Sequence, residues 1–175
     1  IIAVSDIVKN SLVSHKIKPN KIEVLLNAVN LDFFRKTTKR RNNDFTFLFI
    51  GRLIKQKGID VLIKSFSKID RGILLIAGEG EDKQSLEKLS NDLGVGDRVR
   101  FLGVRYDIPD LLSQSDCFVL LSRWEGLSIV LLEAIASGVP IIVSDFEGTK
   151  EVITDMVDGI IVKREDEVDS AKAME

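Results

Sequence analysis

Runs of apolar and β-branched residues recur along the chain at 45–50, 73–77, 99–102, 117–121, 140–144 and 159–162, each about the length of a strand. Between them the apolar positions change to helical spacing. Ile59, Leu62, Ile63 and Phe66 mark a first helix, Leu86, Leu89 and Leu93 a second, and Ile108, Leu111 and Leu112 a third. The spacing predicts a fourth helix over 128–137 and a fifth over roughly 149–154. Strand runs that are apolar on both faces and alternate with single helices predict a parallel sheet covered on both sides. The fold class is therefore α/β, a Rossmann-like doubly wound parallel sheet of about six strands. Ahead of it, Ser5 and Asp6 read as a helix start with Ile7, Val8 and Leu12 as its apolar stripe, and 22–26 reads as a short extra strand. The polar stretch 35–44 separates this lead-in, 1–44, from the main unit, 45–175.

In an open parallel sheet, ligands bind beyond the carboxyl ends of the strands, where the strand order reverses. Glycine and charge concentrate in the loops at that edge. Gly51-Arg52-Leu53 to Lys57-Gly58 follows the first main strand, Gly78-Glu79-Gly80 the second, Gly103 the third, and Ser122-Arg123-Trp124-Glu125-Gly126 the fourth. With the strand order 3-2-1-4-5-6, the first and fourth strands are neighbours, and Arg52 and Lys57 face Glu125 and Gly126. Glycine at 51 and 126 admits close approach of a ligand to the backbone. The amides of Gly126 to Ile129 open the fourth helix toward an anion. Two cations and a helix N-terminus make a diphosphate pocket, whereas either cation taken alone reads equally as a solvated loop charge. Glu133 interrupts a helix that is apolar nearly all round, so the expectation is a buried carboxylate that needs donors. A ribose diol supplies two of them; a structural ion pair is the alternative.

Composition narrows the function classes. The 175 residues suffice for one ordinary core, and a formal net charge of −2 with dispersed Lys and Arg argues against nucleic acid. The short basic run 36–41 is the exception to that dispersion. Cys117 lies inside an apolar run and reads as a small hydrophobe, and His15 sits in a polar helix where no triad or metal site forms around it. No cysteine or histidine cluster has metal-ligand spacing, no Asp-x-Asp motif follows a strand, and no G-x-G-x-x-G fingerprint is complete, so neither a metal nor a dinucleotide cofactor is expected. No apolar stretch reaches the roughly 20 residues of a membrane helix, and a signal peptide is absent, which leads us to expect a cytoplasmic domain. The chain opens without Met inside an apolar run and closes within a helix, the pattern of a piece of a longer protein.

Gly51-Arg52-Leu53 with Lys57-Gly58, Phe101-Leu102-Gly103, the run from Glu125-Gly126-Leu127-Ser128 to Glu133-Ala134, and Ala136-Ser137-Gly138-Val139-Pro140 together resemble the C-terminal domain of retaining family-four glycosyltransferases of the GT-B fold. Val4-Ser5, Asn27 to Phe34, Glu151-Val152-Ile153 and Asp158 to Val162 extend the resemblance over nearly the whole chain. It implies one half of a GT-B enzyme whose donor is a nucleotide-diphosphate sugar, a UDP- or GDP-sugar. Arg52 and Lys57 hold the diphosphate, Glu133 the ribose, and Glu125, the first glutamate of E-x7-E, the sugar hydroxyls. Gly51 admits the diphosphate, the Gly126-Leu127-Ser128 backbone touches sugar and phosphate, and Val104 and Arg105 border the base. Two positions depart from the family pattern. Ala28 replaces a common glycine, and Leu127-Ser128 replace the commoner Phe-Gly beside the sugar, so the donor sugar stays open.

The implied reaction is metal-free hexosyl or N-acetylhexosaminyl transfer with retention, through front-face attack assisted by the leaving phosphate, to a saccharide acceptor held by a missing N-terminal domain. By this reading the fragment alone transfers nothing. The segment from Asp107 to Leu127 looks most like bacterial enzymes of capsule, O-antigen and lipopolysaccharide synthesis, which use lipid-linked acceptors at the cytoplasmic face. That leaves room for a parent peripheral to the inner face of the plasma membrane. Two alternatives stand beside it, a GT-B-like sugar-nucleotide epimerase and a non-catalytic nucleotide-sugar-binding module.

Overall fold

The computed structural model describes residues 1–34 and 44–175; the expected polar linker at 35–44 and its basic run lie, except for Asp44, outside the described residues. At the N-terminus, β1 (Ile2–Ala3) and β2 (Glu23–Val24) pair in parallel around α1 (Asp6–Ser14). Ser5 caps that helix, its Oγ accepting from the Val8 amide at 3.1 Å, as the Ser5-Asp6 start predicts. A short α2 (Leu31–Phe34) closes the lead-in.

The main unit then alternates as the hydrophobic pattern requires. It comprises β3 (Thr46–Ile50), α3 (Ile59–Phe66), β4 (Ile73–Ala77), α4 (Lys83–Asp92), β5 (Val99–Gly103), α5 (Ile108–Ser113), β6 (Cys117–Leu120), α6 (Ile129–Ser137), β7 (Ile141–Ser144), β8 (Ile160–Val162) and α7 (Glu167–Met174). The six main strands form one parallel sheet in the order β5-β4-β3-β6-β7-β8, the doubly wound order. Central β6 and β7 are buried along their whole length, whereas edge strand β5 is not, which is why the central runs carry no polar alternation. Helices α3, α4 and α7 pack together, and α2, α5 and α6 form a second set, consistent with one layer on each face. Phe47, Phe49, Phe66, Phe118 and Phe146 are fully buried, each worth about 1.5–3 kcal/mol of apolar burial.

Two helical expectations are corrected. Over 149–154 the chain makes only a 3-10 turn, Thr149–Glu151, because the Thr149 hydroxyl donates to the Ser144 carbonyl at 2.7 Å and Asp158 accepts from the Thr154 amide at 3.0 Å, drawing the segment into turns. Helix α6 is not buried all round. Leu131 and Ala134 face the core, but Ile129 is 53% and Ile135 38% exposed, so its apolar outer face looks outward.

The loop after β3 meets the end of β6 where Gly58 turns in the left-handed region, at φ 64°. A Cβ there would lie 2.0 Å from the Leu121 carbonyl oxygen, whereas at Gly138, also left-handed at φ 71°, a Cβ would meet nothing within 4 Å. Gly138→Ala should therefore cost only the left-handed strain, about 1–2 kcal/mol. Gly58→Ala should cost clearly more, because backbone must also move. Denaturant unfolding of the two variants checks this; equal losses would show that the β3–β6 contact is not tight.

Candidate functional site

The pairing of β3 with β6 sets Phe47 beside Cys117 and Leu48 beside Phe118, and the loops leaving these two strands come together at the carboxyl edge. Leu53 is fully buried and pins the first loop, its amide donating to the Glu79 carbonyl at 2.9 Å, while the Gly51 amide donates to the Ala77 carbonyl at 3.0 Å. Arg52 is held between these anchors with its side chain exposed and no hydrogen bond or ion pair among the described residues. Five residues on, after a 3-10 turn at Lys55–Lys57, Lys57 Nζ meets Glu125 Oε1 at 2.5 Å, with side chains only 13% and 9% exposed. Ser122 Oγ donates to the same Oε1 at 2.7 Å. One carboxylate oxygen of Glu125 is thus doubly engaged, and Oε2 accepts no hydrogen bond among the described residues.

Ser122 and Arg123 were not picked out by sequence reasoning. The Arg123 guanidinium forks onto Asp60 at 2.9 and 2.8 Å, and it reaches Glu165 at 2.8 Å. Burial pushes the Asp60 carboxyl up, but the Arg123 hydrogen bonds and charge outweigh it and hold Asp60 below its ordinary value. A long cation beside Trp124 in a loop was the visible signal. Its partners lie far off in sequence, so the signal could not be interpreted from the chain alone.

Two clefts border other candidate residues, and neither is lined by Lys57 or Glu125. One of about 320 Å³ is lined by Gly51, Arg52, Gly78, Glu79, Val104, Arg105 and Ile108. The other, about 350 Å³, is lined by Ala28, Val29, Phe33, Tyr106, Ile108, Ile129 and Glu133, so Ile108 borders both. Arg105 is exposed and forked onto Asp107, with Nε 2.8 Å from Oδ1 and a second contact from Nη2 to Oδ2. Tyr106 beside it is 91% exposed. A cavity of about 500 Å³ lies at the opposite edge, at the amino ends of the strands around Cys117, Pro140 and Ile160, remote from these charges.

Glu133 is only half-buried, a correction that follows from the exposed outer face of α6, and it lines the second cleft. Its carboxylate has no hydrogen bond or ion pair among the described residues, so the structural ion pair is not what holds it there. Burial pushes its carboxyl pKa up. Gly126, Leu127 and Ser128 lead into α6, with Ser128 at the N-cap and its side chain bonded to none of the first amides. The lead-in covers this loop. Asn27 Nδ2 donates to the Leu127 carbonyl at 2.9 Å, and the Val8 side chain lies 2.9 Å from where a Cβ on Gly126 would stand. His15 is exposed and Cys117 buried, its thiol pushed up to about 12 by burial.

A cleft beyond the carboxyl ends of parallel strands is where open α/β sheets bind their ligands. Residues 31–175 match the family described as "Glycosyl transferases group 1", and the chain belongs to that family. It is 32% identical over 86% of its length to an Escherichia coli protein named UDP-Gal:alpha-D-GlcNAc-diphosphoundecaprenol alpha-1,3-galactosyltransferase, covering 43% of that protein. It is 36% identical over 72% of its length to the lipopolysaccharide core biosynthesis glycosyltransferase LpsE of Rhizobium meliloti, covering 37% of it. Anabaena HepE, solved with UDP and glucose, superposes with a TM-score of 0.90 at 21% identity over 98% of this chain and 51% of that one. The chain thus spans less than half the length of these two relatives, and the GT-B class of fold expected for it is the one observed.

The raised Glu133 pKa predicts a pH dependence. A carboxyl whose folded pKa exceeds its unfolded value favours the fold when protonated and loses that contribution as pH rises through the folded value. Glu133→Gln should therefore stabilise the chain at pH 7 and have no such effect below about pH 4, where the glutamate is itself neutral. Thermal unfolding at the two pH values checks this, and an equal effect at both would contradict it.

Proposed function

We propose that this chain is the donor-binding half of a retaining glycosyltransferase that moves a hexose or N-acetylhexosamine from a UDP- or GDP-sugar to a lipid-linked saccharide acceptor in bacterial surface-polysaccharide synthesis. The observation that carries the reading is the junction of the two loops. Arg52, whose side chain has no partner among the described residues, shares the loop after β3 with Lys57, and Lys57 pairs with Glu125 in the loop that leads into α6. The names of the relatives, which include a galactosyltransferase acting on a diphosphoundecaprenol-linked sugar and a lipopolysaccharide core enzyme, support the donor and acceptor classes.

In this proposal Arg52 and Lys57 bind the diphosphate, Glu133 the ribose hydroxyls, and the free Oε2 of Glu125 a sugar hydroxyl. Gly51 leaves room for the diphosphate, and the Gly126-Leu127-Ser128 backbone borders sugar and phosphate. Val104 and Arg105 flank the base. As the bond from anomeric carbon to phosphate breaks, negative charge grows on the leaving diphosphate, where two cations and the α6 amides stabilise it. The acceptor hydroxyl attacks the same face and gives its proton to the departing phosphate oxygen. Lys57 starts out neutralised by Glu125, so donor binding must divide its hydrogen bonds between carboxylate and phosphate. The parent acts in the cytoplasm, at the inner face of the plasma membrane, with the acceptor on its other domain. Among the described residues no helix is long and apolar enough to cross a membrane.

Calorimetric titration of the chain with UDP- and GDP-sugars tests the donor site. Arg52→Ala and Glu133→Ala should each weaken binding about 10- to 100-fold, the ~1.5–3 kcal/mol of a hydrogen bond to a charged group. Absence of binding by the parent chain, or variants indistinguishable from it, would sink the reading. For the whole enzyme, donor isomerisation without acceptor would favour an epimerase, and donor binding without turnover a binding module.

A further inference from the structure

We propose that Arg123 is a positioning residue for the Lys57–Glu125 pair, locking the loop after β3 to the loop after β6 so that cation and carboxylate stay in register for a sugar diphosphate. The inference rests on the roles proposed above for those two residues.

The geometry is a ladder between the two loops. The Arg123 amide donates to the Gln56 carbonyl at 2.8 Å, Arg123 Nη1 donates to the Lys55 carbonyl at 2.6 Å, and Gln56 Nε2 donates to the Trp124 carbonyl at 2.8 Å. Residues 55 and 56 are thereby joined to 123 and 124, and the next residue on each side is Lys57 and Glu125. All three nitrogens of the Arg123 guanidinium are engaged. Besides Lys55, it meets both carboxylate oxygens of Asp60, at the start of α3, and Glu165 in the loop after β8. The Arg123 side chain is only 12% exposed, and of its two carboxylate partners Asp60, at 35%, is better shielded from water than Glu165, at 64%. Glu165 itself stands at φ 58°, a left-handed conformation that a side chain seldom adopts, and Arg123 holds its carboxylate there.

None of these contacts is with the crevice, so Arg123 has no direct part in binding. Its effect is on where the pair stands. Lysine cannot substitute, because one ammonium cannot span a carboxylate fork, a carbonyl and a second carboxylate at once. Arg123→Lys keeps the charge and removes the guanidinium rung of the ladder, leaving the Gln56 rung in place.

The test takes Arg123→Lys and Asp60→Asn in the chain, with two measurements. In crystal structures without ligand, the Lys57 Nζ to Glu125 Oε1 distance should exceed 4 Å, or the 122–126 loop should take more than one conformation. In titrations with UMP, UDP, GMP and GDP, the preference for diphosphate over monophosphate should fall about tenfold in Arg123→Lys. We assign Lys57 to the outer phosphate, so monophosphate affinity should hold, whereas a mere loss of stability would weaken both ligands alike. Asp60→Asn, which leaves Arg123 in place, should shift both readouts the same way by less, and it decides the matter if Arg123→Lys fails to fold. A pair still at 2.5 Å with the diphosphate preference intact would overturn the proposal, as would parallel weakening of mono- and diphosphates. If the unsubstituted chain binds none of the four nucleotides, the donor reading fails, while the Lys57–Glu125 distance in the variants still decides the role of Arg123.

Discussion

Phe47 and Leu48 of β3 run in parallel register with Cys117 and Phe118 of β6, and the chemistry of the carboxyl edge depends on that pairing. The strands leave for their loops side by side, which brings Lys57 within 2.5 Å of Glu125 across 68 residues of sequence. No local propensity could do this. The pairing is stabilised by the apolar burial of both strands between two helical layers, so the free energy that positions the polar pair is spent in the core beneath it. Gly58 allows the loop to lie on the Leu121 carbonyl, and the Arg123 ladder keeps the two loops in step.

The charges at this edge differ in readiness. Lys57 is nearly enclosed and already neutralised by Glu125, whose Oε1 is also engaged by Ser122. Arg52 is exposed without a partner, and Glu133 carries an unpaired carboxylate at a half-buried position. In the proposed donor site an anion would meet Arg52 first and would then share Lys57 with a carboxylate, while the cost of leaving Glu133 unsatisfied would fall when donors arrive. A site arranged this way gains more from a ligand with both phosphates and hydroxyls than from either alone.

The lead-in belongs to the wall of the site as well as to the approach. Asn27 donates to the Leu127 carbonyl and Val8 lies over Gly126, so the segment that precedes the main sheet braces the loop entering α6. Behind the same loop, Gly148 approaches so closely that a Cβ there would fall 1.6 Å from the Gly126 carbonyl oxygen. The loop is fixed from both sides, which suits the backbone role proposed for it beside the phosphates.

The six strands, the first four helices of the main unit and the doubly wound class were legible in the chain, because parallel strands buried on both faces write continuous apolar runs and helices write a different period; the strand order was supplied as the common one for that class. So was the identity of Arg52, Lys57, Glu125 and Glu133 as candidates, since charge and glycine gathered in the loops after strands. What the sequence could not decide was partnership and depth. The apolar run around Glu133 looked like a buried helix, yet periodicity reports how apolar a face is and not whether anything covers it. The segment 149–154 had helical spacing, but Thr149 within it and Asp158 beyond it bonded to nearby backbone instead. Arg123 looked like any loop cation. Only the tertiary structure, by setting loops from β3, β6 and β8 side by side, showed that its fork has three acceptors waiting, because hydrogen-bond partners are chosen by proximity in space and leave no periodic trace in sequence.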